Sequence, residues 1–166
     1  MSTRRQRLSP TRPAHFKLRP SIDVAAGLVF HRGKLLITQR PPGAHLGGLW
    51  EFPGGKRKPR ETFAQCLVRE LREELGIEVE AGPVLENVTH AYPDKTVRLK
   101  FFICRWIRRE PRALGCPAFK WISATELGEY EFPEADSRLL HRLQNSPGLW
   151  NPRRRRGEHS TSNDLA

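Results

Sequence analysis

Glu70, Glu73 and Glu74 stand at i, i+3 and i+4, a spacing that puts three carboxylates on one face of a helix. Like charges this close destabilise a helix by about a few tenths of a kcal/mol per pair. A hard divalent cation reverses the sign of that interaction. Mg²⁺ takes oxygen ligands and keeps waters and substrate phosphates in its shell, so the face reads as a platform for phosphate chemistry. The plain alternative is an acidic, solvated helix face with Arg69 and Arg72 as local partners. Pro53-Gly54-Gly55, upstream of the helix, weighs against it. Such a turn lets the backbone approach a phosphate or offer a carbonyl to a metal.

Several elements must position these groups. Thr62-x-x-Gln65 is a capping box and Gly76 a stop signal, so the helix is predicted over residues 63–75. Its apolar side is Ala64, Leu67, Val68, Leu71 and Leu75. Upstream, residues 24–31 and 34–39 are strand-like runs around His31-Arg32-Gly33, which predicts a hairpin. Residues 40–48 carry two prolines and three glycines and form a loop. Residues 49–52 form a short strand. Downstream, residues 77–79 and 84–92 read as two short strands, 96–107 as a longer one and 120–123 as a last short one. Residues 137–143 suit a second helix. Strand pieces around one strong helix indicate a mixed α/β domain.

From Gly55 to Ile77 the chain reads G-KRKPR-E-TFAQCLV-R-E-L-R-E-E-L-G-I, which resembles the Nudix box, G-x5-E-x7-R-E-U-x-E-E-x-G-U with U apolar. Gly55, Glu61, Arg69, Glu70, Leu71, Glu73, Glu74, Gly76 and Ile77 all match. The resemblance implies the Nudix fold, an α/β/α sandwich around a mixed sheet. It also implies hydrolysis of a nucleoside diphosphate linked to another moiety. By the same likeness Glu70, Glu73 and Glu74, with the Gly54 carbonyl, hold Mg²⁺, for which Mn²⁺ can substitute. Arg69 orients the glutamates through an ion pair, and Glu70 takes the proton of the attacking water.

The likeness runs over roughly residues 24–143 and is greatest to the MutT branch, which hydrolyses 8-oxo-dGTP to the monophosphate and diphosphate. Three stretches carry it: LLITQRPPGAHLGGLWEFPGGK, YPDKTVRLKFF and EFPEADSRLLHRL. It implies substrate contacts from Arg40 and His45, a pocket lined by Glu51, Phe52, Pro53, Gly54 and Gly55, and base reading at Asp136. The local alternatives are a surface His45, a strand-end Arg40, and Trp50 and Phe52 as core residues; for Trp50 the core reading is favoured. The MutT pattern has Asn where this chain has Asp136. An ionised Asp only accepts hydrogen bonds, which suits CTP or an oxidised pyrimidine triphosphate; a protonated one can donate to a purine carbonyl. Lys120 stands where MutT-like chains often carry an acid, which shifts the general base to the helix glutamates. A nucleotide sugar is another substrate class. A non-catalytic module that reads 8-oxoguanine is a different class of function; such modules usually lack intact box glutamates.

The formal net charge of +11 over 166 residues is concentrated at the ends. Residues 1–20 hold Arg4, Arg5, Arg7, Arg12, Lys17 and Arg19 and no acid; residues 147–166 hold Arg153, Arg154, Arg155 and Arg156 against two acids. The expected organisation is a catalytic domain over 21–146 between two disordered basic tails, 1–20 and 147–166, with weak polyanion binding by the tails. Cys66, Cys104 and Cys116 form no C-x-x-C pair, which argues against a disulfide framework or zinc site and for a cytoplasmic setting. No apolar run approaches the roughly 20 residues that span a bilayer, and the basic N-terminal segment lacks the apolar core of a secretory signal.

Overall fold

The computed structural model describes residues 19–151. The chain opens with β1 (Ser21–His31) and β2 (Lys34–Gln39), paired antiparallel with His31 opposite Lys34. Arg32 and Gly33 between them both have positive φ, 48° and 76°. That is the type I′ geometry whose twist matches the strands it joins. Two very short strands follow, β3 (Trp50–Glu51) and β4 (Gly54–Lys56). After the helix α1 (Phe63–Leu75) come β5 (Glu78–Ala91), β6 (Thr96–Arg108) and β7 (Phe119–Ile122). The chain then forms short 3-10 turns at Leu127–Glu129 and Glu134–Asp136, α2 (Ser137–Gln144) and α3 (Pro147–Trp150).

The seven strands form one sheet with the path β3-β2-β1-β6-β5, to which β4 adds beside β1 and β7 beside β2. β1 runs parallel to β6 while the other pairings are antiparallel, so the sheet is mixed. Side chains alternate across its two faces. Ala25 and Val29 face a cluster built with Cys66, Leu67, Leu71 and Leu75 of α1. Ala26 and Leu28 face the opposite cluster, with Phe52, Phe101, Leu139 and Leu143. Helices therefore cover both faces, giving the expected α/β/α sandwich. The helix residues 63–75 form as expected: Thr62 Oγ1 accepts from the Gln65 amide at 3.1 Å, and the Gln65 side chain accepts from the Thr62 amide at 2.8 Å. At its end Gly76, φ 69°, donates to the Arg72 carbonyl.

Two boundaries differ from the sequence expectation. The two strands expected at 77–79 and 84–92 form the single strand β5 (Glu78–Ala91), with register shifts around Gly82 and Pro83. The strand lies at the sheet edge, where a proline and a bulge are tolerated without losing a ladder on both sides. Residues 147–150, expected to begin a disordered tail, form α3. Trp150 is 3% exposed, meets Phe30 edge-on at 5.5 Å and donates its indole N–H to the Leu143 carbonyl at 3.0 Å. A single Leu-Trp pair just before an arginine run is too short to carry a periodicity, so its burial was not legible. At the other end, the Pro20 carbonyl accepts from the Thr96 amide. The basic runs 1–18 and 152–166, and the polyanion binding expected of them, lie outside the described residues.

Candidate active site

The sheet grips the glycine turn at the centre of β1. Ala25 pairs with Gly55 and Ala26 with Gly54, and the Gly27 amide donates to the Pro53 carbonyl at 2.8 Å. A Cβ on Gly54 (φ 156°) would stand 2.1 Å from the Ala25 carbonyl oxygen, and one on Gly55 would stand 2.4 Å from the carboxyl carbon of Glu70. Both positions thus need glycine: one to lie against β1, the other to let a carboxylate lie against the turn. Pro53, expected in the pocket, is instead buried beneath the turn and acts through its carbonyl.

The α1 carboxylates are not equivalent. Glu74 is half-buried and accepts from the Gly54 amide at 3.2 Å. Burial pushes its pKa up to about 7, and the charges of Glu51 and Glu70 push the same way. The fully buried Thr38 hydroxyl faces it but makes no hydrogen bond of normal geometry. Glu70 is half-buried against Gly55, while Glu73 is exposed. Arg69 binds Glu61 through Nε at 2.6 Å and Nη2 at 2.9 Å, and its Nη1 reaches Glu70 at 2.7 Å and Glu73 at 3.0 Å. The hydrogen bonds from Arg69 hold the Glu61 carboxyl down to about 2. Among the described residues no three His, Cys, Asp or Glu side chains converge as a closed metal cage. What is present is a set of oxygen donors with crowded negative charge: Glu70, Glu74 and the Gly54–Gly55 backbone, with an unpartnered hydroxyl beside them. Such a set suits a hard divalent cation, whose charge would offset the burial and the carboxylate repulsion that together hold a proton on Glu74.

On the other side of the turn opens a cleft of about 410 Å³. Arg40, His45, Glu51, Phe52, Gly54, Gly55 and Asp136 all line it, so residues from the loop, the turn and the start of α2 are brought together. Asp136 is 4% exposed, and burial, reinforced by the nearby Glu51 charge, pushes its pKa up to about 7 against the opposing pull of Arg40. Burial likewise raises Glu51, although Arg40 pairs with it. Arg40 also donates from Nε to the His45 carbonyl at 2.8 Å, tying the loop 40–48 to the cleft wall. His45 meets the Tyr92 ring edge-on at 5.0 Å.

Tyr92 and Lys95 line the cleft as well but carried no assignment in the sequence reading. They close the β5–β6 turn, where the Tyr92 amide donates to the Lys95 carbonyl at 2.8 Å. An aromatic and a lysine in a tight turn were the available signal. Phe52 is both core and cleft wall, stacked on Phe132 at 5.2 Å. Trp50 packs against Tyr130 at 5.3 Å, away from the cleft, as its core reading required. Lys120 lies over both of those rings and offers the cleft no acid.

Comparison with known proteins agrees with this geometry. The family model described as NUDIX domain matches residues 25–142. An 8-oxo-dGTP diphosphatase of Proteus vulgaris is 45% identical over 83 residues, 49% of this chain and 74% of that protein. A CTP pyrophosphohydrolase of Escherichia coli (strain K12) is 37% identical over 72% of this chain and 88% of its own length. Among solved structures, the E. coli ORF135 protein superposes with a TM-score of 0.68 at 32% identity, covering 86% of this chain and 96% of that one. A MutT structure from work on Aliivibrio salmonicida and Vibrio cholerae gives a TM-score of 0.66 at 29% identity, covering 76% and 98%.

Proposed function

The chain belongs to the NUDIX domain family and is a Nudix hydrolase, and from that premise we propose that it hydrolyses 8-oxo-dGTP to 8-oxo-dGMP and diphosphate, clearing an oxidised nucleotide before it enters DNA. The observation that carries the base assignment is Asp136, buried at the cleft wall with its proton held to about pH 7. A protonated carboxyl there donates to a purine carbonyl, as the Asn of MutT-like chains would through its amide. The related 8-oxo-dGTP diphosphatases support the same reading. Three buried, unpaired cysteines fit a reducing cytoplasm.

In this reading Glu70, Glu73, Glu74 and the Gly54 carbonyl would hold Mg²⁺ or Mn²⁺. A bound cation would supply charge neutralisation at the phosphates and a lowered pKa for the attacking water. Glu70 accepts that water's proton as oxygen adds to a phosphorus and the P–O–P bridge opens, releasing diphosphate. Arg69 keeps Glu70 in register through the ion pair seen between them. Arg40, His45 and Glu51 shape the cleft around the nucleotide, and Asp136 selects the base.

A second reading rests on the CTP pyrophosphohydrolase relative and on Asp136 in its ionised, accepting form, which favours cytosine's amine. The test is kcat/KM across canonical and oxidised triphosphates with Mg²⁺ near pH 7. Preference for 8-oxo-dGTP over dGTP and CTP by at least tenfold is expected. Preference for CTP of that size would transfer the assignment to the second reading.

A further inference from the structure

Asp23 lies on β1 with its carboxylate 8% exposed, and two arginines from different elements share it. Arg98, its parallel neighbour on β6, donates from Nε to one carboxylate oxygen at 2.6 Å. Arg57, in the loop after the glycine turn, donates to the other from Nε at 3.0 Å and Nη2 at 2.7 Å. The backbones are pinned at the same point, since the Arg57 amide donates to the Asp23 carbonyl at 2.8 Å. Arg57 has one more nitrogen to spend: Nη1 donates to the Glu61 carbonyl at 2.8 Å. Its guanidinium also stands 5.3 Å from the ring centre of Phe63, the first residue of α1.

Glu61 is the residue whose carboxylate grips Arg69 through both oxygens, and Arg69 in turn holds Glu70 and Glu73. The contacts thus run without a gap from the paired strands β1 and β6 to the glutamate face of α1. Keeping a buried charge with two partners is a poor way to gain stability, because an apolar set of similar volume often does as well. It is a good way to fix direction, because a planar guanidinium bonding two acceptors has little freedom left.

We infer that Asp23 and Arg57 are positioning residues for catalysis: they set the loop 56–62 against the sheet and so hold Glu61, and through it Arg69, in register with Glu70. This rests on the functional reading above, in which Glu70 does the chemistry. Arg98 bonds Asp23 but, among the described residues, makes no side-chain hydrogen bond or ion pair to the loop or α1, which separates positioning from mere stability.

The test uses the full chain and three substitutions, with kcat, KM, Tm and the Mn²⁺ dissociation constant of the substrate-free protein as readouts. Arg57→Lys keeps a charge beside Asp23 but replaces the three nitrogens that bond Asp23 and the Glu61 carbonyl with one ammonium. It should lower kcat on the order of tenfold and weaken Mn²⁺ binding severalfold, with KM near wild type; small displacements of catalytic groups have effects of that size or larger. Arg98→Met should lower Tm while leaving kcat within about twofold. Glu70→Gln is the control: if it turns over like wild type, the underlying site reading fails. If Glu70→Gln is inactive while Arg57→Lys keeps wild-type kcat and Mn²⁺ affinity, the positioning role alone is overturned. Equal kcat losses in Arg57→Lys and Arg98→Met would likewise overturn it, making the cluster a structural girdle.

Discussion

Asp136→Asn removes an ionisable group from a site that is 4% exposed, and its effect should depend on pH in a defined direction. The folded protein holds the Asp136 proton to about 7, against an ordinary value of 3.8. The unfolded chain therefore releases it first. Stability from this group is fully present below the unfolded pKa of 3.8 and is lost as pH rises through the folded value near 7. At 1.36 kcal/mol per pKa unit, a gap of roughly three units amounts to about 4 kcal/mol, and to about 2 kcal/mol if water relaxes into the cleft around the carboxylate. The variant lacks this contribution. Urea melts of both proteins at half-unit steps from pH 4 to 8 should show the wild type losing that much relative to Asp136→Asn, with no further divergence above pH 8. Glu51, also raised, is present in both proteins and largely cancels in the difference. The kinetic counterpart is a wild-type kcat/KM for 8-oxo-dGTP that falls above about pH 7 as Asp136 ionises, and a variant profile without that falling limb. Stability curves that stay parallel within about 0.5 kcal/mol, a typical surface-substitution effect, would refute the buried-proton argument.

Other consequences are as direct. Glu74 keeps a proton to about 7 in the metal-free protein, so Mn²⁺ affinity should rise from pH 6 to pH 8 as that proton no longer has to be displaced; titration calorimetry giving equal affinities at the two values would show that Glu74 is not part of the metal site. Trp150→Ala should destabilise the domain by about 3–5 kcal/mol, the usual effect of emptying a buried aromatic site, and a change below about 1 kcal/mol in urea melts would mean that α3 does not belong to the core.

How legible each part was follows from the range of the forces behind it. α1 is set by neighbours in sequence: a capping box at Thr62 and Gln65, an apolar stripe of period 3.6, and Gly76 where a left-handed residue must stand. The β1–β2 hairpin is equally local, because Arg32 and Gly33 set the twist that pairs the strands. The box residues were named by their match to the Nudix pattern over residues 55–77; the three carboxylates taken alone left an acidic, solvated helix face open. Tertiary structure decided what those side chains are. Glu70, Glu73 and Glu74 share a face in sequence, yet one lies against Gly55, one accepts from Gly54 and one is exposed, because the turn is bonded to β1 on one side of α1. Asp136 keeps its proton because of a cleft assembled from segments more than a hundred residues apart, and no single segment carries that desolvation. The Asp23–Arg57 contact joins a strand to a loop 34 positions later, and Trp150 finds Phe30 only after the sheet has formed. Periodicity reads contacts within a turn or two of chain; burial, pairing and proton affinity belong to neighbours that only the folded chain supplies.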